Sequence, residues 1–209
     1  SLYNESKATG GGNAILPTPA IGGVGLLADY DKQMDLAFKA EGETVILLCH
    51  SEGHVGQSLW LREVHGREDG PPPPVDLDAE RRAGELVSAL IAAGKVSAVH
   101  DVSDGGAAVA LAEMAMAGGI GVTMTVVPQI ANPAATLFGE DQGRYIVTCP
   151  DAATVMAQAR AAGVNAVPIG VTGGDALLFD LVERGGVQSV PLTELKRLHE
   201  AALPAMIAG

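Results

Sequence analysis

One polar and glycine-rich run lies between an apolar stretch and an alanine-rich stretch, at residues 100–106 (HDVSDGG). This order predicts that a strand ends and a helix begins there. The first N–H groups of a helix have no partner within the helix and carry partial positive charge, so they favour an anion. Because glycine lets a ligand approach the backbone closely, Asp104, Gly105 and Gly106 are candidate phosphate- or nucleotide-binding residues. The alternative is an Asp104 N-cap, with glycines that serve a tight turn and close packing.

Four polar side chains are crowded ahead of a second apolar stretch, within residues 137–144. Glu140, Asp141 and Gln142 could bind ligand hydroxyls, an ammonium group or a metal. The alternative is a solvated turn in which an acidic side chain pairs with Arg144, and the composition of the run favours this alternative.

Cysteine and histidine side chains occur together around position 50. A thiolate and imidazoles suit zinc, but the spacing of Cys49, His50, His54 and His65 matches no zinc motif, and a cysteine at a strand end is commonly part of the core. Ser51 beside two histidines would suggest a hydrolase, but no Gly-x-Ser-x-Gly turn surrounds it. We therefore expect neither a catalytic residue nor a metal ligand in this chain.

The composition limits the class of protein. The chain has 209 residues, of which 47% are hydrophobic and 18% charged, and its formal net charge is −12. It can bury a core and is not an acidic disordered tail. No apolar run approaches about 20 residues, so we expect no membrane-spanning helix. The acidic balance argues against a nucleic-acid partner, and two cysteines with no visible secretory signal favour a reducing compartment.

Strand and helix patterns alternate along the chain and must position these candidates. Short β-branched or alternating apolar runs predict strands at residues 24–28, 44–49, 96–101, 122–127, 144–149, 165–171 and 176–180. Helical spacing and end signals predict helices at residues 59–64, 78–94, 104–117, 151–162 and 193–202. Residues 66–74 are charged and proline-rich, which predicts a surface loop.

This alternation predicts one α/β domain with helices packed on a central sheet. The last two predicted strands lie too close in sequence for a connecting helix, so we expect a mixed sheet. Residues 1–25 are rich in Gly, Pro, Ser and Asn, which predicts an extended lead-in, or alternatively a frayed terminus.

Four motifs taken together resemble a known family. In chain order they are SLYNE at residues 1–5, PTPAIGGVGLL at 17–27, HDVSDGGAAVALAEMA at 100–115 and LFGEDQGRYIV at 137–147. They are similar to the C-terminal part of phosphoribosylformylglycinamidine synthase in its smaller, multi-subunit form. That family belongs to the aminoimidazole ribonucleotide (AIR) synthetase-like superfamily, and the resemblance runs from Ser1 to about Phe179.

The resemblance implies a three-layer α/β sandwich, with a central mixed sheet flanked by helices. It implies that residues 1–25 lead in from an ATP-binding-type domain that this chain lacks, and that residues 26–209 form the C-terminal-type domain. The family places its catalytic histidine and main magnesium carboxylates in the ATP-binding-type domains. We therefore expect the chain alone to be inactive and to hold no bound cofactor.

The resemblance also implies a reaction and its participants. The family converts formylglycinamide ribonucleotide to its amidine with ATP, Mg²⁺ and glutamine-derived ammonia, in the cytoplasm, with a separate glutaminase subunit and a small bridging subunit. Ser1 matches a serine that touches the ribonucleotide. Glu140, Asp141 and Gln142 match a triplet near an auxiliary nucleotide site, with Asp141 where the family usually has serine.

Two alternatives remain open at this point. The chain could be the C-terminal domain of another superfamily enzyme, such as selenophosphate synthetase or a hydrogenase maturation factor, although the SLYNE motif argues against this. It could also serve only in assembly. Because a domain of a larger protein carries surfaces evolved for contact, we expect a concentration-dependent homo-oligomer of the chain alone.

Overall fold

The computed structural model describes residues 3–4, 13–14, 19–125, 132–181 and 186–207. The chain divides into two compact units, residues 1–31 and 32–209. In the first unit, β1 (Tyr3–Asn4) pairs antiparallel with β2 (Asn13–Ala14). A 3₁₀ turn spans Tyr30–Lys32.

The strand predicted at residues 24–28 is wrong, because this segment has no regular structure. Val24 and Leu26 are fully exposed, at 101% and 100%. An apolar strand is stable only where neighbouring strands and a packed face bury it. The glycines at positions 22, 23 and 25 contribute no side chain to such packing.

A seven-stranded mixed sheet forms the centre of the second unit, in the order β4-β6-β3-β7-β5-β8-β9. Its strands are β3 (Thr44–Leu48), β4 (Ala98–Val102), β5 (Val122–Thr125), β6 (Arg144–Cys149), β7 (Ala166–Thr172), β8 (Ala176–Leu181) and β9 (Gly186–Pro191). The β5–β8 pair is parallel and the other neighbours are antiparallel, which confirms the expectation of a mixed sheet.

Helices cover both faces of this sheet. They are α1 (Leu59–His65), α2 (Leu77–Ala92), α3 (Gly106–Gly118), α4 (Pro133–Phe138), α5 (Ala152–Ala161) and α6 (Leu192–Ile207). The apolar faces of α2 and α5 share one buried cluster, and α3 shares another with Leu192 at the start of α6. The predicted α/β sandwich of three layers is therefore confirmed.

Strand β3 shows how the sequence produces these two cores. Val45 packs in the cluster with α3, whereas Ile46 and Leu48 pack in the cluster with α2 and α5. Successive side chains of a strand point to opposite faces. A continuous apolar run therefore fits a strand that is buried on both sides.

Most predicted elements of the second unit are confirmed to within two residues at each end, and the exception is α6, which continues to Ile207. Sequence reasoning missed α4 and β9. The available signal for α4 was Asn132 followed by Pro133, a common helix start. In the structure the Asn132 side chain accepts from Ala134 N at 3.0 Å. Strand β9 is almost wholly exposed at the sheet edge and shows no apolar alternation. Positions 126 and 127 of the predicted fourth strand lie outside the described residues.

Candidate functional site

Three loops meet because the strands that carry them are neighbours in the sheet. Val102 at the end of β4 and Leu48 at the end of β3 pair with Arg144 and Tyr145 at the start of β6. Antiparallel pairing therefore places residues 49–58, 103–105 and 139–143 at one end of the sheet. Two of these loops carry the candidate residues of the sequence motifs.

The Asp141 carboxylate holds the loop that follows β3. Its oxygens accept from the Ser51 hydroxyl at 3.0 Å and from the N–H groups of Gly53 at 3.1 Å, Glu52 at 3.2 Å and His54 at 3.3 Å. Asp141 is only 8% exposed. Its hydrogen-bonding capacity is thus used within the protein, where it orders the loop.

Arg144 lies beneath this loop with its guanidinium fully buried. It donates to the carbonyl of Gly139 at 2.5 Å, to the carbonyl of Asp141 at 3.0 Å and to the Ser51 hydroxyl at 3.1 Å. Its Nη1 lies 3.8 Å from the Asp141 carboxylate. Burial lowers the pKa of Arg144, while the neighbouring Asp141 and Glu140 act in the opposite direction. The acidic–Arg144 pairing is confirmed, but in a buried network rather than in a solvated turn.

The Glu140 carboxylate joins the two candidate motifs. One of its oxygens accepts from Gly105 N and from Leu59 N, both at 2.8 Å, and its own N–H donates to the His54 carbonyl at 2.8 Å. An internal carboxylate therefore lies against the first N–H groups of the β4–α3 junction and of α1. These are positions that favour negative charge.

The predicted Asp104 cap is wrong. The N-cap of α3 is Gly105, which has no side-chain cap, and Asp104 is exposed one residue earlier. Gly105 and Gly106 have φ of 81° and 69°, so the turn needs residues tolerant of positive φ. A Cβ on Gly106 would lie 2.6 Å from the Gly139 carbonyl oxygen. These glycines therefore serve the turn and the close packing that the alternative interpretation proposed.

The remaining candidates are placed apart from this network or have other partners. Gln142 is exposed beside it, and Ser1 lies outside the described residues. The His54 ring contacts the Pro71 carbonyl at 2.8 Å, and the His65 ring packs edge-on against Trp60 at 4.4 Å between centroids.

No metal centre is formed by the part of the chain that the structure describes, because no three His, Cys, Asp or Glu side chains are grouped to hold an ion. The Ser51 hydroxyl is engaged by Asp141 and Arg144 rather than by a histidine. Sequence reasoning missed this role of Ser51. The available signal was its position directly after a buried strand, where loop groups meet those of neighbouring strands.

This fold and loop network define a three-layer α/β domain whose loops are tied together by internal carboxylates. The family model described as AIR synthase related protein, C-terminal domain, matches residues 40–179. The chain belongs to this family.

Curated relatives match the chain over its whole length. Phosphoribosylformylglycinamidine synthase subunit PurL of Bradyrhizobium sp. strain BTAi1 is 52% identical over 211 residues, covering 100% of this chain and 28% of the relative. The subunit of the same name from Parvibaculum lavamentivorans is 51% identical over 214 residues, again covering 100% and 28%. The chain thus spans little more than a quarter of the length of these relatives.

Solved structures share the fold. Thermotoga maritima PurL complexed with FGAR aligns with a TM-score of 0.66 and 20% identity over 79% of this chain and 30% of that one. The hydrogenase maturation protein HypE of E. coli aligns with a TM-score of 0.57 and 18% identity over 77% and 52%. Within the described ranges, no helix has the length and apolar character needed to cross a membrane.

Proposed function

We propose that this chain acts as the C-terminal-type domain of a phosphoribosylformylglycinamidine synthase subunit. The observation that carries the proposal is about 50% identity over the whole chain to relatives of that name. The alternative, a domain of a hydrogenase maturation protein, is favoured only by fold similarity at 18% identity. In this proposal residues 1–25 lead in from an ATP-binding-type domain, and residues 26–209 form the C-terminal-type domain.

The proposed reaction of the longer protein converts an amide to an amidine. ATP transfers a phosphoryl group to the amide oxygen of formylglycinamide ribonucleotide and leaves as ADP. Ammonia derived from glutamine then attacks the amide carbon, and the C–O bond breaks as phosphate leaves. Magnesium, when bound, neutralises charge on the transferring phosphoryl group. Among the described residues no three His, Cys, Asp or Glu side chains are grouped to hold an ion. The contribution proposed for this chain is to shape and stiffen one wall of the cleft.

We propose different roles for the candidate residues, on the basis of their places in the loop network. Glu140 and Asp141 hold the loops through hydrogen bonds within the protein. Asp104 and Gln142 have exposed side chains beside them. In the proposed nucleotide-facing surface, the exposed pair makes direct contacts while Glu140, Asp141, Gly105 and Gly106 fix the backbone. Ser1 is proposed to contact the ribonucleotide.

The proposal also includes partners and compartment. The name of the relatives describes a subunit, which supports assembly with a separate glutaminase subunit and a small bridging subunit. Such an enzyme would work in the cytoplasm.

A segment exchange tests the proposal. The matched segment of the Bradyrhizobium relative is replaced by this chain, and the chimera is assayed with formylglycinamide ribonucleotide, ATP, Mg²⁺ and ammonia. We expect activity within roughly tenfold of the parent relative, equivalent to about 1.4 kcal/mol in the barrier. A folded chimera without activity would contradict the proposal.

The isolated chain should be inactive in the assay used for the chimera. Because the described residues contain no metal site and Ser51 is tied to Asp141 and Arg144, we expect no turnover in the same assay. A rate of about 1 per second or more, usual for enzymes, would show that the chain carries its own catalytic machinery.

A further inference from the structure

A cleft of about 470 Å³ lies between α3 and α6. Leu36 and Met116 contribute apolar surface to it, and His100 and Glu113 contribute polar surface. The His100 ring is 15% exposed, and its Nε2 lies 2.8 Å from the Glu113 carboxylate. This site lies apart from the loop network, since His100 is in the middle of β4 rather than at its end.

The wall that α6 contributes continues beyond the cleft. Lys196, His199 and Glu200 line the cleft. At 3.6 residues per turn, Leu203 and Ile207 follow on the same face of the helix. They are 68% and 83% exposed. The cleft therefore extends into an apolar surface, from Leu203 to Ile207, that is little more than one turn long.

We propose that the α3–α6 cleft and the apolar end of α6 form one docking surface, and that its occupant is a segment of the longer polypeptide outside these 209 residues. This inference rests on the proposed function. The charged and titratable side chains that line the cleft are two carboxylates, Glu113 and Glu200, one lysine, Lys196, and two histidines, His100 and His199. Since His100 already contacts Glu113, Glu200 is the carboxylate available to an occupant. The occupant should therefore present apolar side chains flanked by a Lys or Arg.

The length of the relatives supports an occupant from the same polypeptide. Their match to this chain covers all of it, including α6, and takes up only 28% of their own length. In such a protein α6 therefore folds beside a much longer chain. That chain supplies candidate segments which the present 209 residues do not.

The size of the surface argues against a second copy as the occupant. Stable interfaces bury about 800 Å² per partner, whereas this surface consists of one cleft and little more than one turn of a single helix. A segment of the same chain is held at high effective concentration and has already lost most of its translational freedom. A small surface is therefore sufficient for docking within one polypeptide.

Hydrogen exchange in the chimera described above tests the inference. We expect amides of residues 198–207 to exchange roughly tenfold or more slowly in the chimera than in the isolated chain. Leu203→Glu should abolish that protection. Leu198→Glu is the matched control: Leu198 is exposed on the same helix, but five positions away, about 140° around the axis. It should leave the protection unchanged.

Each result has a defined meaning. Protection that is independent of chimera concentration and lost in Leu203→Glu supports docking, whether or not the chimera is active. Equal exchange in chimera and isolated chain overturns the inference, and an active chimera with that result leaves the proposed function standing. Protection that disappears on dilution of the chimera overturns it in favour of a second copy. If Leu203→Glu and Leu198→Glu lose protection equally, the docking surface is not the face of α6 that carries Leu203.

Discussion

At the scale of single residues, two carboxylates and one guanidinium hold the loops at the candidate site, and Glu140 is the carboxylate that reaches Gly105 and Leu59. Asp141 accepts from four groups of residues 51–54, and Arg144 reaches the carbonyls on either side of Glu140. Hydrogen bonds to a charged group are stronger than neutral ones, and losing one partner leaves buried donors unsatisfied. The loops therefore depend on a few side chains.

Asp141→Ala should destabilise the isolated chain by roughly 2–4 kcal/mol, because buried N–H and O–H donors lose their acceptor. The measurement is urea unfolding followed by the fluorescence of Trp60, the chain's single tryptophan. Gln142→Ala is the matched control at the exposed neighbour and should change stability by less than about 0.5 kcal/mol. Equal effects of the two substitutions would contradict the role assigned to Asp141.

The Cys149 thiol makes the free energy of unfolding depend on pH in the alkaline range. Burial raises the pKa of its thiol from 9.0 to about 11, and Glu43 and Asp151 add to the rise. The folded protein therefore holds the thiol proton more tightly than the unfolded chain does. This difference stabilises the fold fully below about pH 9, and the stabilisation is lost as the pH rises toward 11.

The wild-type chain should therefore lose stability between pH 8 and pH 10.5, by an amount on the order of 1–2 kcal/mol from this thiol. Urea unfolding at both pH values measures the loss. Cys149→Ala removes the titrating group, so its loss over the same range should be smaller. An equal loss in both proteins would show that other groups cause it.

At the scale of elements, the helix ends differ in how their N–H groups are satisfied. Helix α2 has a side-chain cap, with Asp76 accepting from Ala79 N at 2.9 Å. Helix α3 has none, and the N–H of its N-cap, Gly105, instead donates to Glu140 from a distant part of the chain. Local sequence thus determines the first helix start, and tertiary contacts determine the second.

Asp76→Ala should lower stability by about 0.5–2 kcal/mol, the usual cost of a lost N-cap. Asp104→Ala should have an effect below about 0.5 kcal/mol, since Asp104 is exposed and does not cap α3. Thermal melting of both variants measures this contrast. A larger drop for Asp104→Ala would restore the capping role that the sequence predicted.

At the scale of the whole molecule, charge and exposed apolar surface oppose each other. The net charge of −12 keeps copies apart. The end of α6 meanwhile exposes Leu203, Met206 and Ile207. In the isolated chain this surface has no occupant from a longer polypeptide, and exposed apolar patches promote association.

We therefore expect weak, concentration-dependent self-association of the isolated chain, stronger at moderate than at low salt because salt screens the repulsion. Analytical ultracentrifugation over at least a tenfold concentration range measures it. Leu203→Glu should reduce the association. A monomer at every concentration and both salt levels would contradict the expectation.

The sequence by itself determined the fold class and most elements of the second unit, but not α4, β9 or the end of α6. Apolar runs such as residues 44–49 and the end signals of α2 and α5 depend on neighbours in the chain, so local pattern was sufficient to predict them. The motif resemblance was confirmed as family membership. Only the tertiary structure decided that Glu140 reaches Gly105 and that Asp141 holds residues 51–54. These contacts join residues 35 to 90 positions apart, and the physical reason they form is the order of strands in the sheet, which no local pattern specifies.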